Sequence, residues 1–282
     1  MTIFKDKSLL DTEIDQFFFE NKELLKLHYA GININYLKQF FSTRKYYDFY
    51  ALKKEMLLGI PFSYMDQRHF FYENQFFVNN SVLIPRNETE LLVEKALNLI
   101  NQEPQDKQIR IIDMGCGSGC IGLSLIFNTS RALDLTLSDI SHTALDVARK
   151  NYEKLSYNMT KGQDVSFILS DRFQNIEGVF DLILSNPPYI KKQEHKELVH
   201  TKAHEHEPHL ALYLDDHLYE KWFDDFFKQI KEHSHADTKV LIELHEDTII
   251  QLSETISEHF LDVKVIKDLT GRERFLSAKT LK

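Results

Sequence analysis

The sequence has 282 residues, 43% of them hydrophobic and 27% charged, ordinary proportions for a chain that can bury a core and long enough for one large domain or two smaller ones. Its formal net charge of -9 argues against a protein whose main partner is a phosphate backbone, because such proteins carry a basic surface. No apolar run approaches the ~18–20 residues that span a bilayer. The opening stretch carries acidic residues and lacks the apolar core of a secretory leader, so neither a membrane nor export is expected, and the cytoplasm is the default location.

Taken in chain order, the first sixty or so residues hold no strand signal. Leu10, Ile14, Phe17, Phe18, Leu24 and Leu25 recur at helical spacing, as do Phe49, Tyr50, Leu52, Met56 and Leu57. They predict a small bundle of helices that stops near Gly59-Ile60-Pro61. Two aromatic runs, Phe70-Phe71-Tyr72 and Phe76-Phe77-Val78, flank Glu73-Asn74-Gln75 and predict a β-hairpin connector. An amphipathic helix follows over residues 90–100, with Asn87 or Thr89 as its predicted cap.

From Ile109 strands and helices alternate. Strands are predicted over 109–114, 133–138, 165–170, 181–185 and 240–244, with helices over 121–127, 143–155, 218–230 and 248–259. Such alternation implies a parallel sheet covered on both faces. Residues 261–267 and 274–278, across Thr270-Gly271, predict two more strands, with an antiparallel addition at the sheet edge. The single Trp222, with Phe223, Phe226 and Phe227, forms a helical stripe that reads as core.

The first strand of this region runs into Asp113-Met114-Gly115-Cys116-Gly117-Ser118-Gly119. Glycines there let the main chain turn tightly and approach a ligand closely. Asp139 ends the next strand twenty residues after Gly119, where a carboxylate can accept hydrogen bonds from ribose hydroxyls. The nicotinamide fingerprint is G-x-G-x-x-G; the spacing here is G-x-G-x-G behind an aspartate. That pattern resembles the adenosylmethionine-binding loop of class I methyltransferases. Cys116 and Cys120 are spaced C-x-x-x-C, without the redox C-x-x-C or a zinc set, and are expected to pack as small residues at the loop. Asp171 and Arg172 end the third strand, where that class of enzyme faces the adenine ring.

A buried strand over 181–185 leads directly into Asn186-Pro187-Pro188-Tyr189. In open α/β sheets ligands bind at the carboxyl ends of strands, and two prolines stiffen the loop and remove two donors. The residue types suit methylation of an amide nitrogen. Its lone pair is delocalised, so it must be fixed in line with the methyl donor while its N–H groups find acceptors. The Asn186 side-chain oxygen and the Pro187 carbonyl can be those acceptors, and both bonds strengthen as charge develops on nitrogen. Tyr189 offers an aromatic face for a planar group.

This loop behind a class I glycine loop is shared by N6-adenine DNA methyltransferases and protein glutamine N5-methyltransferases. A second motif, Val82-Leu83-Ile84-Pro85-Arg86-Asn87-Glu88-Thr89-Glu90, resembles the V-L-I-P-R-P-E-T-E signature of the release factor glutamine methyltransferases, the PrmC or HemK type. Gly59-Ile60-Pro61-Phe62-Ser63-Tyr64-Met65 and Glu207-Pro208 with Leu210-Ala211-Leu212 resemble two further stretches of that family. Asn87 stands where the family usually has proline, and Asp66-Gln67-Arg68 replaces a stretch that usually contains glycine. Leu241 to Glu246 lacks the glycines common after that strand.

The resemblance implies an all-helical substrate-binding domain over 1–66, a hairpin linker over 67–84 and a seven-stranded, Rossmann-like class I domain over 85–282. It implies S-adenosylmethionine as cofactor, held by Asp113, Gly115, Cys116, Gly117, Ser118, Gly119, Asp139, Asp171, Arg172 and Asn186. The acceptor would sit on Asn186, Pro187, Pro188 and Tyr189, with Asn186, Pro187 and Tyr189 catalytic. The implied reaction is methylation of the glutamine amide nitrogen in the Gly-Gly-Gln motif of peptide chain release factors, by a monomer. Three alternatives stay open: another protein glutamine such as one in a ribosomal protein, adenine in nucleic acid, and a non-catalytic adenosylmethionine-binding regulator. The run from Ala203 to His209 holds three histidines without the H-E-x-x-H spacing. It is expected to be a polar loop without metal, with Glu207-Pro208 bracing the catalytic loop. Arg86 is expected to pair with an acid and fix the linker.

Overall fold

The computed structural model describes residues 7–42, 46–195 and 201–280. The chain divides into two compact units, one of Met1–Asp66 with Thr201–His206 and the other of Gln67–His200 with Glu207–Lys282.

The first unit opens with α1 (Lys7–Glu20), α2 (Lys22–His28), α3 (Ile34–Ser42), α4 (Tyr46–Leu57) and the single turn α5 (Phe62–Met65). The helical spacing of Leu10, Ile14, Phe17 and Phe18 gives α1 one apolar face, buried with Leu25, Leu37, Phe41, Phe49 and Met56. The rings of Phe17 and Phe41 meet Phe49 edge-on, at 5.8 and 5.0 Å between centroids.

The second unit begins with the hairpin β1 (His69–Phe71) and β2 (Asn74–Phe76). Its turn is two residues, Tyr72 and Glu73, both at positive φ (40° and 66°), instead of the three polar residues expected. A two-residue primed turn matches the natural strand twist, and the register His69 to Phe76 buries Phe71 and Phe76 together. Then come α6 (Glu90–Gln102), β3 (Ile109–Met114), α7 (Cys120–Phe127), β4 (Leu133–Asp139), α8 (His142–Leu155), β5 (Gln163–Leu169), β6 (Phe180–Ser185) and β7 (Ile190–Lys191). After α9 (Thr201–His206) the unit continues through α10 (His209–Leu212), β8 (Tyr213–Leu214), α11 (Tyr219–Glu232), β9 (Ser234–Glu243), α12 (Ile249–Ser257), β10 (Phe260–Lys267) and β11 (Glu273–Thr280). The histidine-rich run, expected as a loop, thus forms two short helices, with Pro208 setting the start of the second.

Seven strands form one sheet in the order β10-β11-β9-β6-β3-β4-β5. Neighbours from β9 to β5 pair in parallel. Alternate residues serve opposite faces. Ile111, Leu182, Leu184 and Leu241 pack with α6, α7 and α8, while Ile112, Ile183, Val240 and Ile242 pack with α11 and α12. The antiparallel strand is not the edge, as expected from sequence. β11 lies between β10 and β9 and is antiparallel to both. Burial explains the difference: Phe275, Leu276 and Ala278 of β11 are fully buried, whereas β10 exposes Asp262, Lys264 and Lys267 and suits an edge. Among the described residues no helix is long and apolar enough to cross a membrane.

Strand order reverses between β3 and β6, which places the loops after these two strands side by side at the carboxyl edge of the sheet.

Candidate active site

A cavity of about 220 Å³ opens at that edge. One wall is the glycine loop. Gly115 and Gly117 have φ of +71° and +53°, and a Cβ built on either meets no atom within 4 Å, so bare main chain faces the open space. The loop is fixed from behind. Gly115 and Cys116 N–H groups donate to Ser138 O at 2.8 and 2.9 Å. Asn151 of α8, fully buried, donates from Nδ2 to Ser118 O and to Phe77 O, each at 2.9 Å, and accepts from Phe77 N–H. One side chain therefore ties the glycine loop to the hairpin.

Asp139 lines the same wall. Its Oδ2 accepts from Gly117 N–H at 2.9 Å and its Oδ1 from Ser141 N–H at 2.8 Å, which leaves further lone pairs on both oxygens. Burial pushes its carboxyl above the usual range, against the pull of these amides. Asp113 does not line the cavity. It lies beneath the loop, fully buried, with Oδ2 accepting from Gly122 N–H at 2.9 Å and Oδ1 without a hydrogen bond. Burial raises its carboxyl to about 7, opposed by the Gly122 amide and reinforced by Asp139. Gly119 is also outside the lining, under Leu123 and Ala148, whereas Cys116, Ser118 and Cys120 reach it. Both thiols are pushed up by burial, Cys120 to about 12, so neither is a thiolate at neutral pH.

Asp171 and Arg172 also line the cavity, joined by Arg172 Nε to Asp171 Oδ1 at 3.3 Å. Arg172 takes positive φ (50°), and its guanidinium stands 5.5 Å from the centre of the Trp222 ring. Trp222 and Phe226 are themselves part of the lining. The α11 stripe read as core thus serves two purposes: Phe223 and Phe227 are fully buried, while its outer edge reaches the cavity.

A second part of the lining is Asn186, Pro187 and Pro188. The loop hangs from four hydrogen-bonding groups. Ser185 Oγ donates to Met114 O at 2.7 Å. Asn186 Nδ2 donates to Thr89 Oγ1 at 3.4 Å, and Thr89 Oγ1 donates to Glu243 Oε2 at 2.7 Å. Tyr189 does not line the cavity. Its hydroxyl points to Glu243 Oε1 at 3.5 Å, and the Tyr219 hydroxyl lies 3.0 Å from Tyr189 O. Burial and the Glu243 carboxylate both raise the Tyr189 phenol. Burial also raises Glu243, to about 7, against the Thr89 hydrogen bond and Arg274. Thr89, predicted as a helix cap, makes no side-chain cap bond, because its hydroxyl is committed to Glu243.

Ser81, Val82, Leu83, Pro85 and Arg86 also line the cavity, as do Pro208, Leu210 and Ala211. Glu207 straps them together: Oε1 accepts from Arg86 Nη2 at 2.8 Å and Oε2 from Ile84 N–H at 3.2 Å. Arg86 does find an acid, whereas the hydrogen bonds of Glu207 brace the 84–86 segment and not the catalytic loop as expected.

A family model described as "Methyltransferase small domain" matches residues 88–211. The release factor glutamine methyltransferase of Leptospira interrogans serogroup Icterohaemorrhagiae serovar Lai is 34% identical over 261 residues, covering 90% of this chain and 86% of that protein. The chain belongs to the release factor glutamine methyltransferase family. The relative from Chlorobaculum tepidum is 33% identical over 236 residues, covering 81% of this chain and 78% of that one. Among solved structures, the hMettl16 catalytic domain in complex with MAT2A 3'UTR hairpin 6 matches with a TM-score of 0.53 at 17% identity. That match covers 73% of this chain and 74% of the other, a likeness of fold.

Within this methyltransferase, the structure brings Gly115, Cys116, Gly117, Ser118, Asp139, Asp171, Arg172, Asn186, Pro187 and Pro188 around one cavity. It leaves Asp113, Gly119 and Tyr189 behind its walls. Sequence reasoning did not reach Glu243 or Asn151, whose partners are 154 and 74 residues away. Among the described residues no three His, Cys, Asp or Glu side chains gather as a metal site.

Proposed function

We propose that this enzyme transfers a methyl group from S-adenosylmethionine to the side-chain amide nitrogen of the glutamine in the Gly-Gly-Gln motif of peptide chain release factors. The family membership supports the reaction class. The observation that supports the acceptor assignment is that Asn186, Pro187 and Pro188 line the same cavity as the glycine loop, on a stiff loop whose Asn186 side-chain carbonyl and Pro187 main-chain carbonyl are hydrogen-bond acceptors.

The cavity residues fit the cofactor. Gly115 and Gly117 present main chain with no side chain in the way, Asp139 keeps lone pairs for ribose hydroxyls, and the Asp171, Arg172 and Trp222 end offers flat and polar surfaces for a base. When bound, S-adenosylmethionine supplies an electrophilic methyl group on a sulfonium.

The chain's own part in the reaction is positioning. Asn186 Oδ1 accepts one amide N–H and Pro187 O the other, which holds the nitrogen lone pair toward the methyl donor. As nitrogen gains positive charge both N–H groups become better donors, so these bonds are stronger in the transition state than in the ground state. The amide proton leaves after transfer, so no strong base is required, and fixed geometry supplies most of the effect. Tyr189 supports this loop through Glu243, and its direct stacking on the acceptor is not part of the proposal. We assign substrate holding to residues 1–66 and a connecting role to residues 67–84, in a monomer working in the cytoplasm.

The test is mass spectrometry of a release factor incubated with the enzyme and S-adenosylmethionine and then digested. The expected result is one added methyl on the Gly-Gly-Gln glutamine, absent with Asn186→Ala. An unmodified glutamine, with enzyme that binds S-adenosylmethionine, would remove the release factor from the proposal.

A further inference from the structure

The Asn-Pro-Pro-Tyr loop can present its asparagine in two ways. Rotating the Asn186 amide by half a turn exchanges an oxygen for an NH₂ at nearly no steric cost, so hydrogen-bond partners alone decide which faces the acceptor. Only one orientation is useful, because an NH₂ group would oppose the N–H groups of a glutamine amide.

The structure assigns that decision to Glu243 and Thr89: we infer that Glu243 is a positioning residue, which acts through the Thr89 hydroxyl to hold Asn186 with Oδ1 toward the acceptor. This inference rests on the reading that Asn186 accepts a hydrogen bond from the acceptor nitrogen. A threonine hydroxyl owns one hydrogen. The Thr89 hydroxyl donates that hydrogen to Glu243 Oε2 at 2.7 Å, so it is committed. Oγ1 then offers only lone pairs to its other neighbour. That neighbour is Asn186, 3.4 Å away, and it must turn its NH₂ toward Thr89. Its Oδ1 is directed to the other side. Thr89 and Asn186 line the cavity and Glu243 does not, so the carboxylate acts at one remove from the acceptor. The same carboxylate is 3.5 Å from the Tyr189 hydroxyl, so both ends of the four-residue loop refer to one buried group at the end of β9.

A buried acid is costly to ionise unless it is hydrogen-bonded. Glu243 is 1% exposed, and an apolar residue would fill a position in the packed sheet at lower cost. At that position it gives the loop an orientation that the loop's other members cannot impose. Pro187 and Pro188 have no N–H, and Ser185 Oγ is spent on Met114 O.

The test uses full-length enzyme, with Thr89→Val, Glu243→Gln and Thr89→Ser, each checked for unchanged thermal unfolding. Two measurements are made: methyl transfer to a release factor, and the side-chain amide signals of Asn186 in protein labelled with ¹⁵N-asparagine, assigned by their loss in Asn186→Ala. The inference expects Thr89→Val and Glu243→Gln each to lower kcat by roughly tenfold, the scale of one unmade buried hydrogen bond, with KM for the release factor within about twofold. Thr89→Ser, which keeps the hydroxyl, should keep kcat near wild type, and the double variant Thr89→Val with Glu243→Gln should be no slower than the worse single one, as members of one relay require. The Asn186 amide signals should shift and exchange with water faster in both single variants and return in Thr89→Ser. Unmoved Asn186 signals in Thr89→Val and Glu243→Gln overturn the inference, whatever the activity does. So do shifted signals with kcat unchanged. Shifted signals in an enzyme whose wild type leaves the release factor unmodified support the positioning role and remove the acceptor from the proposal.

Discussion

The two walls of the cavity are built on different principles. The glycine-loop wall is held by its own neighbourhood: main-chain amides bond to Ser138 O, Asp139 is 22 residues from the Gly117 it anchors, and much of the surface is backbone. The asparagine-loop wall is held from afar, by Thr89 at 97 residues and Glu243 at 54 residues from its Asn186 and Tyr189 partners. A wall made of main chain tolerates loss of a side chain; a wall made of a relay of side chains does not. The first suits a ligand that must bind, the second a bond that must strengthen only in passing.

That contrast yields an order of effects. Asn186→Ala should cost methyl transfer on the order of 10²–10³, as loss of a transition-state hydrogen bond does elsewhere. Titration calorimetry should find S-adenosylmethionine affinity within a few-fold of wild type. Comparable losses in both would erase the distinction between the walls. Asp139→Asn reverses the pattern: cofactor affinity should fall roughly tenfold through loss of charge-assisted bonds, while kcat at saturating cofactor stays close to wild type. Asn151→Ala leaves buried groups on Phe77 and Ser118 unpaired and should lower stability by about 2–4 kcal/mol, read from urea midpoints, with transfer below the transition little changed.

Asp113→Asn should leave transfer unchanged and show only in the pH dependence of stability. Asp113 titrates near 7 in the folded chain, above the ~3.9 of an unfolded aspartate. Its contribution is therefore fully present below about pH 4 and lost as pH rises through about 7. The stability of Asp113→Asn relative to wild type should climb across that window and level off above it; a flat difference between pH 4 and 8 would mean that Asp113 is not held neutral.

Legibility in the sequence follows the same division. The strands over 109–114 and 181–185 were readable because each is a short apolar run ending in a distinctive turn, and both emerge within a residue of the expected bounds. Gly115, Gly117 and Asp139 were readable because their spacing is local. Glu243 was not: a glutamate at the end of an apolar strand looks like any polar stop until Thr89 is seen beside it. Thr89 was misread for the converse reason, since threonine before a helix usually caps it, and only a carboxylate from another strand diverts its hydroxyl. Trp222 was read as core because helical periodicity reports which face is apolar and not whether that face ends at a cavity. The position of β11 inside the sheet was hidden because a tight turn fixes only that it pairs with β10.

That last feature bears on how the domain comes together. β11 lies between β9 and β10 and pairs with both, so no strand links those two within the sheet until residues 273–280 arrive. A stretch from β3 to β10 leaves β9, the strand that carries Glu243, as an open sheet edge. The carboxylate that orients the asparagine thus acquires its final strand neighbours only when this late segment inserts. During synthesis, exposed edges of this kind are the places where one chain can pair with another. The maturation of the acceptor wall is tied to the last zippering step, while the glycine wall, complete within β3, β4 and α8, can form first.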